Sequence, residues 1–119
     1  GPYVQYTYAR TCSVLAKAAH INTDCNYKAT TPEEHDLLRV ISIFPERVEA
    51  AIESYEPYHV TRYFLDLAAA FNRFYHNCSI LGAENEQIKN TRLAITEAAK
   101  TVLGNAFGLI CLAKTEKIC

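Results

Sequence analysis

The stretch that decides the fold is residues 57–81, which read PYHVTRYFLDLAAAFNRFYHNCSIL. Its large apolar side chains recur at steps of three and four residues, the spacing that places them on one face of an α-helix. These side chains are Val60, Tyr63, Phe64, Leu67, Phe71, Phe74, Tyr75, Cys78 and Leu81. Pro57 suits the first turn of a helix and Gly82 suits its end. The pattern predicts one long helix with a buried stripe.

A shorter amphipathic segment precedes it, over residues 31–55. Thr31 is a suitable N-cap and Pro32 a suitable first helical residue, with acids in the turn that follows. The predicted buried side chains of this segment are Leu37, Leu38, Ile41, Phe44, Val48, Ile52 and Tyr55. Pro45 falls inside the pattern, and proline breaks or kinks a helix because it lacks a backbone N–H. We therefore expect a short helix, a corner at residues 44–45 and a continuation.

Two further helical patterns flank these segments, one over residues 3–20 and one over residues 84–110. Their predicted buried side chains are Val4, Tyr8, Cys12, Leu15, Ala19, Ile88, Ile95, Ala98, Ala99, Val102, Ala106 and Leu109. A glycine inside a helix costs about 1 kcal/mol relative to alanine, so Gly104 and Gly108 predict either a kink or a close helix contact. No convincing alternating strand pattern is present. The prediction is an all-α protein, a single bundle of four main helical segments, with residues 1–119 as one domain.

Composition argues against several classes of protein. The chain has 119 residues, a formal charge of −1 and five cysteines. Its apolar runs fall far short of the ~20 residues that span a bilayer, and no export signal is visible. The cysteines show no CxxC spacing and the histidines no HxxxH pair, so we expect neither disulfides nor a metal site. The predicted location is the cytoplasm, with free thiols at Cys12, Cys25, Cys78, Cys111 and Cys119.

Charge is unevenly distributed along the chain. Residues 1–23 carry Arg10 and Lys17 and no acid. The acids concentrate between residues 33 and 56, where a solvated face is the simplest interpretation, and residues 88–119 again carry an excess of lysine and arginine. A chain of this kind could hold an anion at its two ends.

One face of the first helix differs chemically from a core. At 100° per residue, Tyr3, Tyr6, Arg10 and Lys17 fall opposite the apolar stripe. Aromatic rings stack on unpaired bases for ~1–3 kcal/mol each and cations offset phosphate charge, so the combination suits a single-stranded RNA loop. The alternative is that the tyrosines pack against a neighbouring helix or an absent partner, which is the commoner role of aromatic residues. No phosphate-binding glycine loop or catalytic carboxylate pair is present.

Three stretches resemble the anticodon-binding (DALR-type) domain of arginyl-tRNA synthetases. They are GPYVQYTYARTCSVL at residues 1–15, Glu56-Pro57 with residues 60–81 (especially FNRFY at 71–75), and RLAITEAAKTVLGN at residues 92–105. They span nearly the whole chain in the family's order, and the first is the most specific because amphipathicity alone would not produce it. The resemblance implies an all-helical bundle at the C-terminal end of a class I synthetase.

The resemblance also implies a function. In the family this domain holds the anticodon stem-loop of arginine tRNA, while a separate catalytic domain of the same chain uses ATP and Mg to join arginine to that tRNA. The HIGH and KMSKS signatures of the catalytic domain are absent from this sequence. The segment itself is therefore expected to be non-catalytic, with no cofactor of its own and with neither DNA nor a membrane as a partner.

The positions that match the family's anticodon contacts are Tyr3, Tyr6, Arg10 and Tyr75. Lys17 is a further candidate for tRNA binding, on the helical wheel alone. Ile118 stands where the family's terminal methionine lies by the anticodon, with Cys119 one residue beyond it. An aliphatic contact is retained by that change, although isoleucine is stiffer than methionine.

Two other functions remain open from the sequence. The chain could be a helical protein–protein adaptor whose Tyr3 and Tyr6 dock another protein, or the related helical domain of a glycyl-tRNA synthetase β-type subunit. The opening GPYVQY argues against the second. Salt-dependent binding of an anticodon stem-loop would favour the tRNA function, and salt-insensitive binding of a protein would favour the adaptor.

Overall fold

The computed structural model describes the backbone of residues 2–18, 26–54 and 57–118 and the side chains within residues 3–18, 26–54 and 58–105. The helices of this described part are α1 Pro2–Lys17, α2 Pro32–Ser42, α3 Phe44–Ser54, α4 Pro57–Asn77 and α5 Glu86–Ile118. The predicted all-α fold is confirmed, and the predicted second segment supplies both α2 and α3. None of the described helices is long and apolar enough to cross a membrane.

α4 is the central helix, since it contacts each of the other four. The residues of its predicted stripe that form the core, all at most 3% exposed, are Tyr63, Phe64, Leu67, Phe71 and Phe74. Each fully buried side chain of this size stabilises the fold by about 1.5–3 kcal/mol. Leu81 was wrongly placed in the stripe, because α4 ends at Asn77 and not at Gly82. Leu81 is 40% exposed and Ile80 is buried instead.

α1 presents a core face slightly rotated from the predicted one. Its buried residues are Val4, Thr7, Thr11 and Val14, and its half-buried residues include Tyr8, Cys12 and Leu15. The threonines can lie inside because their hydroxyls donate to backbone carbonyls of the preceding turn. The Thr7 hydroxyl donates to the carbonyl of Tyr3 at 3.0 Å, and that of Thr11 donates to the carbonyl of Tyr8 at 2.6 Å.

The corner predicted at residues 44–45 is present. α2 ends at Ser42, Ile43 forms a turn, and α3 begins at Phe44 with Pro45 in its first turn. Proline is tolerated there because the first N–H groups of a helix have no intrahelical acceptor. The sequence therefore placed the break within two residues of its position.

Two residues near the corner were wrongly predicted to be buried. Leu38 is 37% exposed because it lies 100° around α2 from the fully buried Leu37. Ile52 is 67% exposed, and Ala51 is buried in its place. The turn at Ile43 resets the helical phase, so the buried face of α3 does not continue the pattern of α2.

α5 runs from Glu86 to Ile118, past the end predicted at residue 110. Gly104 lies against α1, since a Cβ atom at this position would meet Tyr8 Cε2 at 3.6 Å. Of the two predicted alternatives for this glycine, the structure shows the close helix contact. The contact brings α5 against α1, the helix that carries the predicted RNA-binding face.

The free thiols in the described part of the chain are Cys12, which is half-buried, and Cys78, which is buried. α1 ends at Lys17 and not at residue 20 as predicted. Predictions that lie outside the described residues or side chains concern Ala19, Cys25, Tyr55, Ala106, Gly108, Leu109, Cys111 and Cys119.

Candidate nucleic-acid interface

The exposed face of α1 lies beside α4. Tyr3, Tyr6 and Arg10 recur at steps of three and four residues and therefore share one side of the helix. Tyr6 is 76% exposed and Tyr3 is 42% exposed, and Arg10 is half-buried. A phenol ring that is three-quarters exposed contributes little to a core, and its apolar face stays open to a ligand.

Asn72 of α4 holds this face in place. Its Oδ1 accepts a hydrogen bond from Arg10 Nη1 at 2.7 Å, and its Nδ2 donates to the Tyr3 hydroxyl and to Thr7 Oγ1, both at 3.0 Å. Because arginine has only donors, the amide oxygen must face Arg10, which settles the orientation of the amide. One side chain thus positions a cation and a phenol that lie 62 and 69 residues away in sequence.

Arg10 is also held by an aromatic ring. Its Cζ lies 4.5 Å from the centroid of the Tyr75 ring, a cation–π contact of a kind that contributes ~0.5–1 kcal/mol at exposed sites. Tyr75 stacks on the buried Phe71, with ring centroids 6.3 Å apart and planes inclined by 30°. Since Tyr75 is 37% exposed, its ring is shared between the core and the surface, and it fixes Arg10 at the boundary.

Arg10 and Tyr75 line a cavity of about 830 Å³. Tyr6 and Lys17 of α1 form part of its wall, and the turn at residues 78–82 forms another part. Within the described residues, no acidic side chain lines this cavity. Rings and cations without a neutralising acid favour a ligand that combines negative charge with flat unsaturated groups.

A smaller cavity of about 360 Å³ adjoins it, since Tyr6 and Arg10 line both. Tyr3, Thr7 and Asn72 complete the wall of the smaller cavity. The two cavities therefore form one continuous surface along α1 and the neighbouring edge of α4. We call this surface the tyrosine face.

The turn at residues 78–82 is anchored by a buried polar cluster. Arg92 of α5 donates from Nη1 to the carbonyl oxygen of Ser79 at 2.6 Å and from Nη2 to Glu34 Oε1 at 3.3 Å. Glu34 is fully buried and Arg92 is 7% exposed. Loss of either partner would leave an unpaired charge in the interior. The cluster therefore fixes this wall of the cavity to both α2 and α5.

Two threonines complete the cluster at the start of α2. Thr31 is the N-cap, as predicted: its Oγ1 accepts from the Glu34 N–H at 3.2 Å and donates to Glu34 Oε1 at 2.8 Å. Thr30 donates to the same carboxylate from its N–H at 3.4 Å and from its hydroxyl at 3.2 Å. Because Thr31 gives its hydroxyl proton to Glu34, the thiol of Cys78 is the donor in their 3.3 Å contact.

These contacts set the ionisation of Glu34. Burial alone would raise the pKa of its carboxyl group, but the hydrogen bond from Thr31, the charge of Arg92 and the donors of Thr30 outweigh it and lower the pKa. Glu34 is thus a buried carboxylate, and its prediction as part of a solvated acidic face was wrong. Arg92 is likewise buried, so it is not one of the surface cations that the sequence predicted near the C-terminal end. The Thr31-x-x-Glu34 spacing of a capping box was a signal that Glu34 bonds locally at the helix start, but no sequence signal pointed to Arg92.

The structure brings together Tyr3, Tyr6, Arg10, Lys17 and Tyr75, five of the predicted tRNA-binding residues, on the tyrosine face. The side chain of Ile118 lies outside the described part of the chain, so that position stays a prediction. Sequence reasoning missed Asn72. Its one signal is a polar side chain three residues before Tyr75, and therefore on the same side of α4.

The fold and the site together define a helical bundle with one face suited to an aromatic polyanion. The sequence model of the DALR anticodon binding domain matches residues 4–118, and the chain belongs to this family.

Similar proteins point to one branch of the family. The chain is 43% identical to the arginine–tRNA ligase of Clostridioides difficile over 120 residues and 40% identical to that of Clostridium acetobutylicum over 119 residues. Each match covers 99% of this chain and 21% of the relative. The solved structure of Thermus thermophilus arginyl-tRNA synthetase matches 92% of this chain and 20% of its own, with a TM-score of 0.79 and 31% identity.

The chain therefore spans about a fifth of the length of these relatives. The matches favour the arginyl branch over the glycyl-tRNA synthetase β-type subunit that the sequence left open.

Proposed function

We propose that this chain binds the anticodon stem-loop of an arginine tRNA, as the anticodon-binding part of an arginine–tRNA ligase. The observation that carries the proposal is the cavity lined by Tyr6, Arg10, Lys17 and Tyr75, to which the described residues contribute no acidic side chain, in a domain of the DALR anticodon-binding family. A loop of unpaired bases complements this cavity, because its phosphates attract the cations and its flat bases can stack on the tyrosine rings.

Tyr6 is the stacking platform of the proposed complex. Its ring is the most exposed of the three tyrosines of α1, and a base stacked on such a ring gains ~1–3 kcal/mol. Tyr3 has its hydroxyl held by Asn72 at 3.0 Å, so its ring enters the complex already oriented. An oriented ring loses less conformational entropy on binding than a mobile one.

Arg10 supplies directed donors. A guanidinium group carries five N–H donors, and Asn72 engages one nitrogen while the Tyr75 ring contacts the group at 4.5 Å from Cζ to the ring centroid. The remaining donors suit either a base edge or a phosphate, which differ in salt dependence: a phosphate contact adds about one unit to the slope of log affinity against log salt. Lys17, exposed at the end of α1, suits a phosphate.

The ligation chemistry would belong to another part of the ligase. ATP and Mg²⁺ would be held by its catalytic domain, which this chain would accompany in the cytoplasm. In the described residues, no three His, Cys, Asp or Glu side chains come together as metal ligands would. We expect no arginine-dependent pyrophosphate exchange from the 119 residues alone.

The proposal is tested by fluorescence anisotropy with a labelled anticodon stem-loop of arginine tRNA. The control RNA keeps the stem and carries the anticodon of another amino acid. We expect the arginine loop to bind more tightly, with log affinity falling linearly as log salt rises. Equal binding of the two loops would contradict the proposal, and salt-insensitive capture of a protein through Tyr3 and Tyr6 would favour an adaptor instead.

A further inference from the structure

A cavity of about 350 Å³ lies on another side of α4 and shares no residue with the tyrosine face. Arginines from three helices line it: Arg39 of α2, Arg47 of α3, and Arg62 and Arg73 of α4. We call it the arginine groove. On the wheel of α4, Arg73 lies 100° from Asn72, so the groove and the tyrosine face occupy different sides of one helix.

The carboxylates in the groove do not balance its guanidinium groups. Asp36 bridges two of them, at 3.1 Å from Arg39 Nη2 and 3.2 Å from Arg73 Nη2. Arg62 pairs with Asp66 at 3.5 Å, and Arg47 forms no ion pair with any described residue. Among the described residues, two carboxylates therefore face four arginines, which leaves a net positive charge on this part of the groove.

The three acids of α3 lie away from the groove. They are Glu46, Glu49 and Glu53, which are exposed and do not line the cavity. At 100° per residue each lies about 100° or more around α3 from Arg47. The side chains of Arg39, Arg62 and Arg73 are 65%, 64% and 60% exposed, and exposed ion pairs of this kind exchange readily for another anion.

We infer that the arginine groove binds phosphate groups of the RNA backbone, beside the part of the RNA held on the tyrosine face. The inference rests on the proposed function. Arg73 directly follows Asn72 in α4, so one RNA molecule that lies across this helix can reach both surfaces.

The spread of the cations points to an extended polyanion. Arg62 and Arg73 are eleven residues apart on α4, roughly 16 Å along the helix. A small anion is bound by donors that converge on one point. A polynucleotide suits separated, solvated cations, because each phosphate that is neutralised releases counterions.

The test is a salt titration of stem-loop binding to the full chain that carries this domain. The variant is Arg47→Gln combined with Arg62→Gln, which leaves the Asp36 bridge intact. We expect its affinity to fall on the order of tenfold at about 0.1 M salt, and the slope of log affinity against log salt to become shallower by about 1.5. The matched control is Lys28→Gln combined with Lys89→Gln, which removes the same charge from the segment before α2 and from α5, outside both surfaces, and should change neither quantity.

Two further measurements, one on Tyr6→Ala and one with pyrophosphate, separate failure of the groove inference from failure of the proposed function. Tyr6→Ala should weaken RNA binding with little change in the salt slope. If Tyr6→Ala lowers RNA affinity and the arginine double variant does not, the inference about the arginine groove is overturned and the proposed function stands. Failure of the parent chain to bind RNA at all would remove both. Inorganic pyrophosphate is the probe for a small-anion site. Saturable pyrophosphate binding that disappears in the arginine variant would assign the groove to free phosphates and overturn the inference.

A thermal melt of each variant completes the design. Unchanged RNA binding together with a lowered melting temperature would mean that the groove packs against another part of the protein, which would also overturn the inference. Unchanged melting with the expected loss of affinity would support it.

Discussion

Two arginines of the molecule, Arg92 and Arg10, make similar hydrogen bonds in opposite surroundings. Arg92 is 7% exposed and binds Glu34 and the carbonyl of Ser79. Arg10 is half-buried beside an open cavity and binds the neutral amide of Asn72. Arg92 is paired with a carboxylate in the interior, whereas Arg10 forms no ion pair with a carboxylate of the described residues.

The difference separates a structural arginine from an arginine that we propose to bind RNA. A buried charge must be paired, so the Glu34–Arg92 pair joins α2 to α5 and its loss acts on stability. A cation at a cavity without a neutralising acid keeps its attraction for an external anion, so we expect the loss of Arg10 to act on binding. Burial and the charge of the partner, and not the residue type, decide which function each arginine has.

The largest expected effect is at the buried pair. Glu34→Gln should lower the free energy of unfolding by about 3–5 kcal/mol, because Arg92 is left charged and unpaired in the interior. Glu33→Gln, at the preceding and partly exposed position, should stay within about 0.5 kcal/mol of the parent. Urea denaturation measures both. If Glu34→Gln lowers the free energy of unfolding by less than 1 kcal/mol, the Glu34–Arg92 pair does not give Arg92 the structural role that separates it from Arg10.

The same pair predicts a pH dependence. The pKa of Glu34 is lowered in the folded protein from its usual value of 4.5, so its contribution to stability is fully present above pH 4.5 and is lost as the pH falls through the lower, folded-state pKa. The free energy of unfolding should therefore decrease in this acidic range. Glu34→Gln should lack that part of the decrease. Parallel pH profiles for the two proteins would contradict the assignment of an ionised buried carboxylate.

A smaller effect is expected at the binding arginine. Asn72→Ala removes the hydrogen bonds to Arg10, Tyr3 and Thr7 and should cost about 1 kcal/mol of stability. Stem-loop affinity should fall by about 1 kcal/mol as well, because Arg10 and Tyr3 must then be ordered on binding. Asn77→Ala, which removes one exposed side-chain bond on the same helix, is the control. Parental RNA affinity in folded Asn72→Ala would show that Asn72 does not position the tyrosine face.

The smallest effect is at a contact that involves neither arginine. A Cβ at Gly104 would meet Tyr8 at 3.6 Å, an ordinary van der Waals distance, so alanine fits. Gly104→Ala should raise the free energy of unfolding by up to about 1 kcal/mol, because glycine is a poor residue for a helix interior. RNA affinity should stay unchanged. A destabilised variant would show that α1 and α5 cannot accept one added methyl group.

Sequence patterns predicted the fold well where a single helix decides burial. Phe64, Leu67 and Phe71 follow one uninterrupted period in α4, and all three are buried. The pattern gave wrong results at Ile52 and Leu81, because it assumes one continuous helix. The turn at Ile43 precedes Ile52 and the end of α4 at Asn77 precedes Leu81, so the helical period does not carry over to either residue. Thr7 and Thr11 were missed because their burial depends on hydrogen bonds to the backbone, which hydrophobicity does not encode.

Sequence spacing predicted only those residues of the candidate site that lie on the same helix. Tyr3, Tyr6 and Arg10 lie on one face of α1, so their proximity follows from spacing alone. Asn72 and the buried ion pair depend on contacts between helices. The bond from Arg10 to Asn72 crosses 62 residues and that from Arg92 to Glu34 crosses 58, and a periodicity along one helix carries no information about such partners.

We propose that the tyrosine face binds the anticodon loop. The most direct measurement compares the affinity of the arginine stem-loop for the parent, for Tyr6→Ala and for Tyr58→Ala at one salt concentration. Tyr58 is a matched control because it is 64% exposed and lines none of the cavities of the tyrosine face. We predict that Tyr6→Ala loses about 1–3 kcal/mol of binding free energy while Tyr58→Ala keeps parental affinity, with both variants folded. Parental affinity in folded Tyr6→Ala, or an equal loss in both variants, would contradict the account.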